Sequence, residues 1–168
     1  DILYLTDYID EFVLSAIHEY EKKAFVNIEK DDLDLGTEEE KEETKKVNEE
    51  NNEMLKEMQK TIEEVQEVRF TNKLKSHPVC LTSVGEISIE MQKVFEAMPN
   101  TPNMKAQTVL EINEKHPIVN KLKDLYQNDK ETFEKYTKIL YSGARMIAGL
   151  PIENPTEVSN LICDVIAK

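Results

Sequence analysis

The sequence predicts an α+β fold: a small three-stranded sheet with helices on one side, preceded by a βαβ remnant and a long acidic helix, and closed by a helical hairpin. Three observations carry that expectation. Short runs at 68–71, 78–82 and 106–113 read as strands, two of them with the alternation of a half-buried strand. Apolar stripes at steps of three and four occupy much of the remaining chain, most clearly near its end. Finally, 168 residues with only four glycines and 39% hydrophobic residues suit one helix-rich domain, or one domain plus a fragment of another.

The chain opens at Asp1 without an initiator methionine and enters Ile2-Leu3-Tyr4-Leu5, as a piece of a longer protein would. Residues 2–5 read as a buried strand. Thr6 and Asp7 suit N-cap positions, and Asp10 and Glu11 suit the first turn of a helix carrying Ile9, Phe12, Val13, Ala16, Ile17 and Tyr20 on one face. Residues 24–28 read as a second strand, completing a right-handed βαβ unit. Two strands and one helix cannot close a core, so 1–35 is expected to be the edge of an upstream domain and 36–168 a separate one. Asp31 to Gly36 is a polar connector.

Thr37 with Glu40 forms a capping box, and no Pro or Gly interrupts the chain from Glu38 to about Val65. Pairs such as Glu42 with Lys46 support one long helix. Its apolar positions, Leu55, Met58, Ile62 and Val65, cluster late, so the first half is expected to be solvated and the second half packed. Disorder over 37–53 is the competing reading. Val68 and Phe70 alternate with polar neighbours in the first strand of the sheet, and Pro78 opens the second, where its missing N–H costs least. In the third, Ala106, Thr108, Leu110 and Ile112 share one face.

Between the second and third strands, Ile87, Met91, Val94, Phe95 and Met98 make an apolar stripe on a helix over 86–98, ended by the loop Pro99 to Asn103. The pattern fits a helix lying on the sheet. It also fits an exposed adhesive helix, because methionine and phenylalanine form a soft surface that adapts to varied partners. Pro117 then opens a short helix with Ile118, Leu122, Leu125 and Tyr126 inward.

Two stripes close the chain: Phe133, Tyr136, Leu140, Gly143, Ala144 and Ile147, then Val158, Leu161, Ile162, Val165 and Ile166. Gly149 suits the C′ position of the first helix, and Asn154 with Pro155 the N-cap and N1 of the second. These stripes must be buried against the chain's own core or against a second copy in a two-fold four-helix bundle.

A net charge of −13, from 34 acidic and 21 basic residues, argues against nucleic acid and against an anionic membrane as partners. There is no apolar run of membrane-spanning length and no signal peptide. Cys80 and Cys163 make no disulfide framework, so a reducing cytoplasm is the expected setting. Neither a phosphate-binding glycine loop nor a nucleophile elbow is present. His77-x-x-Cys80, with His116 and Cys163 as distant candidates, lacks the second close pair of a zinc site. A hydrolase using His77 and Cys80 is therefore the weakest reading, and the chain is expected not to be an enzyme, with no metal or other cofactor of its own.

The run Val68-Arg69-Phe70-Thr71-Asn72-Lys73-Leu74-Lys75-Ser76-His77-Pro78 resembles the C-terminal domain of the ninety-kilodalton heat-shock chaperones, the bacterial form in particular. So do Leu110-Glu111-Ile112-Asn113 followed by His116-Pro117, and Leu140-Tyr141 followed by Gly149-Leu150. The stretch Leu3 to Glu11 resembles the last part of that family's middle domain. The resemblance implies a stress-response chaperone whose ATP and magnesium are held by an upstream domain. It implies a homodimer joined through Tyr136, Leu140, Ala144, Ile147, Val158, Leu161, Ile162, Val165 and Ile166. It also implies that Ile87, Met91, Val94, Phe95 and Met98 hold non-native client proteins. Ser142, Gly143, Arg145 and Ala148 depart from the larger apolar or acidic residues expected there. The chain also ends at Ala167-Lys168, without the acidic peptide of cytosolic eukaryotic members. The alternative function is an acidic dimeric adaptor whose 86–98 helix has one fixed protein partner.

Overall fold

A computed structural model describes residues 4–7, 9–27, 37–98 and 104–168. In chain order the elements are α1 (Asp10–Ile17), β1 (Glu19–Tyr20), β2 (Lys23–Ala24), α2 (Glu38–Glu50), α3 (Asn52–Ile62) and β3 (Glu67–Thr71). There follow β4 (Val79–Val84), α4 (Ile89–Ala97), β5 (Gln107–Asn113), α5 (Ile118–Asn128), α6 (Lys130–Ile147) and α7 (Pro155–Ile166). They divide into two compact units, one of residues 1–34 with 83–107, the other of 35–82 with 108–168.

In the first unit the helix expected after Thr6 and Asp7 is present, but neither residue caps it through its side chain. Instead the Asp10 carboxylate reaches back and accepts from the N–H groups of Thr6 and Asp7, both at 3.1 Å. The βαβ expectation is corrected. Tyr4 and Leu5 lie in no strand, and Ala24 pairs antiparallel with Glu19 in a two-residue-turn hairpin. Glu21 and Lys22 both take positive φ, 48° and 63°, which reverses the chain within two residues, a link that only antiparallel strands accept. Ile2, Leu3, Ile28, the connector 31–36 and the loop 99–103 lie outside the described residues.

The second unit opens with the expected capping box. Thr37 Oγ1 accepts from Glu40 N at 3.2 Å, and Thr37 N donates to Glu40 Oε2 at 2.9 Å. The single long helix is corrected to two. At Asn51 the backbone turns to φ −112°, ψ 14°, and its side chain donates to Val47 O at 2.6 Å. No residue of α2 is buried, whereas α3 buries Met54, Leu55, Met58 and Ile62. A solvated first half and a packed second half is therefore the observed arrangement.

The sheet has the order β3-β5-β4, with β5 in the middle. β3 runs parallel to β5, Val68 opposite Leu110 and Phe70 opposite Ile112. Asn113 N donates to Pro78 O at 2.9 Å, which sets the end of β5 beside the start of β4 and makes that pair antiparallel. The one-faced reading of the third strand is corrected, since every residue from Thr108 to Asn113 is buried. A central strand is covered on both sides, so alternation fades where burial is complete. Phe70, Leu110 and Ile112 of the sheet, with Met58, Leu122 and Phe133 of the helices, are core residues at most 1% exposed.

Candidate functional site

The closing hairpin forms as the sequence requires. Asp129 caps α6 by accepting from Thr132 N at 3.0 Å. At the other end, Leu150 N donates to Arg145 O at 2.9 Å and Gly149 N to Met146 O at 3.1 Å. This pair of bonds is a Schellman motif, and Gly149 supplies its left-handed residue with φ +69°. Asn154 then accepts from Glu157 N at 3.2 Å and Pro155 stands at the start of α7.

The two helices present different surfaces. On α6, Phe133, Thr137, Tyr141 and Ala144 are buried, while Tyr136 and Leu140 are half-buried. Ala144 is fully enclosed, so its expected place in a dimer contact is corrected: it belongs to the chain's own core. Ile147 is exposed, and so is Met146, which the stripe of three- and four-residue steps passes over. On α7 nothing is buried. Val158, Leu161 and Val165 are half-covered, Ile162 is exposed, and Ile166 is 78% exposed. Ser142 turns its hydroxyl onto Lys138 O at 2.8 Å, and a Cβ at Gly143 would meet nothing within 4 Å.

Polar contacts hold α7 against α6. Lys135 Nζ bonds Asp164 at 3.0 Å, which, ahead of Glu131, holds the Lys135 ammonium above its ordinary pKa. Lys138 meets Glu157 at 3.5 Å, and Arg145 Nε donates to Pro151 O at 2.9 Å. Lys168 Nζ lies 3.0 Å from Asp129. The Thr132 hydroxyl, then its backbone N–H, then Lys168 depress the Asp129 carboxyl well below the usual carboxylate range.

In the first unit α4 is capped by Ser88, whose hydroxyl accepts from Met91 N at 3.0 Å and donates to Glu11 at 2.7 Å. Ile89 and Gln92 are its inward residues, and Gln92 Oε1 accepts from Ala106 N at 2.9 Å. Both were outside the expected stripe, which lies on the helix flank. Val94 is buried, a correction to its expected accessibility. Ile87, Met91 and Phe95 are half-buried, and Met98 is 49% exposed. Phe95 stacks edge-on against Phe12 at 5.7 Å.

A third cluster lies on the sheet and escaped sequence reasoning. Glu111 is 1% exposed and receives the Arg69 guanidinium, with Lys73 Nζ at 4.0 Å and the Cys80 thiol at 3.8 Å. Only the cross-strand register, Arg69 opposite Glu111, brings these residues together. Burial first, and the Glu111 carboxylate second, push the Cys80 thiol up to about 12. Burial thus holds the thiol in its protonated form at neutral pH. Among the described residues no three His, Cys, Asp or Glu side chains are placed to hold a metal. His116 shapes a turn, its Nδ1 accepting from Ile118 N at 3.2 Å. No described helix is long and apolar enough to cross a membrane.

A family model described as Hsp90 protein matches residues 1–168. The chain is 44% identical over 164 residues to a chaperone protein HtpG of Clostridium perfringens, covering 97% of this chain and 26% of that one. It is 40% identical over 166 residues to the chaperone protein HtpG of Bacillus subtilis, covering 98% and 26%. The chain thus spans about a quarter of the length of the curated relatives it matches. These matches correct two expectations, that the chain is not an enzyme and that it holds no cofactor. The similarity to Hsp90 runs from end to end, yet only a quarter of each relative is represented. Neither absence holds as a statement about this protein.

Proposed function

This chain belongs to the Hsp90 protein family, and on that premise we propose that it is the C-terminal portion of a longer cytoplasmic chaperone. In this reading residues 1–35 end the middle domain and 36–168 form the dimerisation domain. Its closing hairpin joins two copies in a four-helix bundle, and α4 offers its apolar flank to non-native client proteins. One observation carries the reading: α7 sets five apolar side chains in a stripe and buries none of them. A stripe of that kind, continued by Met146 and Ile147, has the character of an interface. Gly143 adds room on α6 for a partner helix to approach.

Sedimentation tests the dimer. At tens of micromolar the wild-type chain is expected to be a dimer burying about 1,200 Å² or more in total. Leu161→Asp, which would leave a charge unpaired in that contact, is expected to give a folded monomer. A wild-type monomer at those concentrations would reject the dimer. For α4, Phe95→Ala should weaken suppression of aggregation across several unrelated thermally unfolded proteins. Loss toward only one of them would favour an adaptor with a fixed partner.

A further inference from the structure

Sheet order leaves β3 at an edge, and what covers that edge is not a strand. Phe70 N–H donates to Asn48 Oδ1 at 2.8 Å, and Phe70 C=O accepts from Asn48 Nδ2 at 3.0 Å. One carboxamide thus makes both of the bonds that a neighbouring strand would make at this residue. Bonding alternates along a strand, so the backbone of Val68 faces the same outer side. Two residues earlier Gln59 donates to Gln66 O. Between these two amides Val68 lines a small cleft with Asn52, Lys56 and Glu67.

The helix that carries Asn48 is weakly fixed. α2 buries no residue, and its thirteen residues hold seven glutamates against three lysines. Beyond Asn48, its ties to the sheet region include Thr44 Oγ1 to Glu114 at 3.2 Å and Asn72 Nδ2 to Glu40 O at 3.5 Å. The break at Asn51 separates it from the packed α3. A helix without a buried face belongs to the low-stability end of a fold and opens locally at little cost.

We propose that α2 is a releasable strap over the open edge of the sheet: when it lifts at Asn51, the outer backbone of Val68 and Phe70 takes an extended, unfolded polypeptide segment as a fourth strand. The present occupant indicates the future one. Asn48 is a peptide-group mimic seated on the edge, and a row of N–H and C=O groups at strand spacing is matched along its length by another extended backbone. Edges of this kind are normally blunted against such pairing, and here the blunting device is detachable. The inference goes beyond the dimer reading, since α2 and β3 contain none of the hairpin residues.

The test uses the 168-residue chain in wild-type, Asn48→Leu and Thr44→Ala forms. The probe is a fluorescein-labelled peptide of about ten residues, alternating threonine and valine between terminal lysines, read by anisotropy. Both variants should bind it about tenfold or more tighter than wild type, a shift of about 1.4 kcal/mol per decade. Hydrogen exchange at the Val68 and Phe70 amides should quicken in both variants and slow again with peptide. The same peptide N-methylated at alternate residues should not bind. Thr44→Ala leaves the Asn48 bonds in place, so it carries the test if Asn48→Leu folds poorly. Equal affinity in all three forms would overturn the proposal. So would binding of the methylated peptide, or self-association of the variants in place of peptide binding.

Discussion

α6 and α7 belong to one hairpin and carry apolar stripes at the same spacing, yet only α6 is absorbed by its own chain. It packs against α3, α5 and α7, with Phe133, Tyr141 and Ala144 enclosed. α7 has α6 on one side and leaves Ile162 and Ile166 to solvent. Periodicity of three and four defines a face in both helices. Whether that face is covered depends on how many layers of chain lie beyond it, which no local pattern encodes. A helix in the middle layer covers most of its stripe, whereas one in the outermost layer leaves its own partly open.

The largest test of this contrast is a pair of truncations. Phe133→Ala should cost about 3–5 kcal/mol in urea unfolding, the scale of an enclosed aromatic. Val165→Ala should cost about 1 kcal/mol or less when the chain is dilute enough to be monomeric, because it removes only two methyl groups from a partly covered site. At concentrations where copies associate the Val165→Ala cost should grow, since association stabilises by mass action. Equal costs for the two at high dilution would break the comparison.

Gly149 sits at the joint where the two fates diverge. Its φ of +69° is strained for any residue with a Cβ, so Gly149→Ala should lower stability by about 1 kcal/mol. Thermal melts of the variant and the wild type give the difference. No loss would mean that the joint tolerates a right-handed residue and that the Schellman bonds are dispensable.

How far the sequence was legible follows the same division between local and non-local causes. Caps and breakers act within a few residues, so Thr37 with Glu40, Gly149, and Asn154 with Pro155 stand where their chemistry places them. The βαβ expectation failed because Glu21-Lys22 makes a turn of positive φ without the Gly or Asn that signals one. The break at Asn51 is quiet for a similar reason: Asn51-Asn52 sits among helix formers with no Gly or Pro to mark a stop. The stripe on α7 was readable as a face, but Ala144 was not separable from the rest of the α6 stripe, nor Val94 from that of α4. Their burial depends on neighbours far away in sequence. The Arg69–Glu111 pair was invisible until the strand register was known.

The smallest expected effect concerns the polar fringe that holds α7 down. Asp129 starts α6, and Lys168 reaches it from the far end of α7. Its folded carboxyl is held below its ordinary value, by the Thr132 hydroxyl first, so folding favours the ionised form. That contribution is fully present above the unfolded carboxyl value of about 3.9. It is lost as pH falls from there toward the folded value, because the unfolded chain takes up the proton first. Asp129→Asn keeps an acceptor for Thr132 N but removes the charge. It should lower the melting temperature slightly at pH 7, and the gap should narrow as pH falls from about 4 toward 3. Lys168→Ala tests the other partner, and should reproduce part of the neutral-pH loss. A gap that stays constant with pH would assign the whole effect to the Thr132 bonds, leaving the ion pair between the two helices without weight.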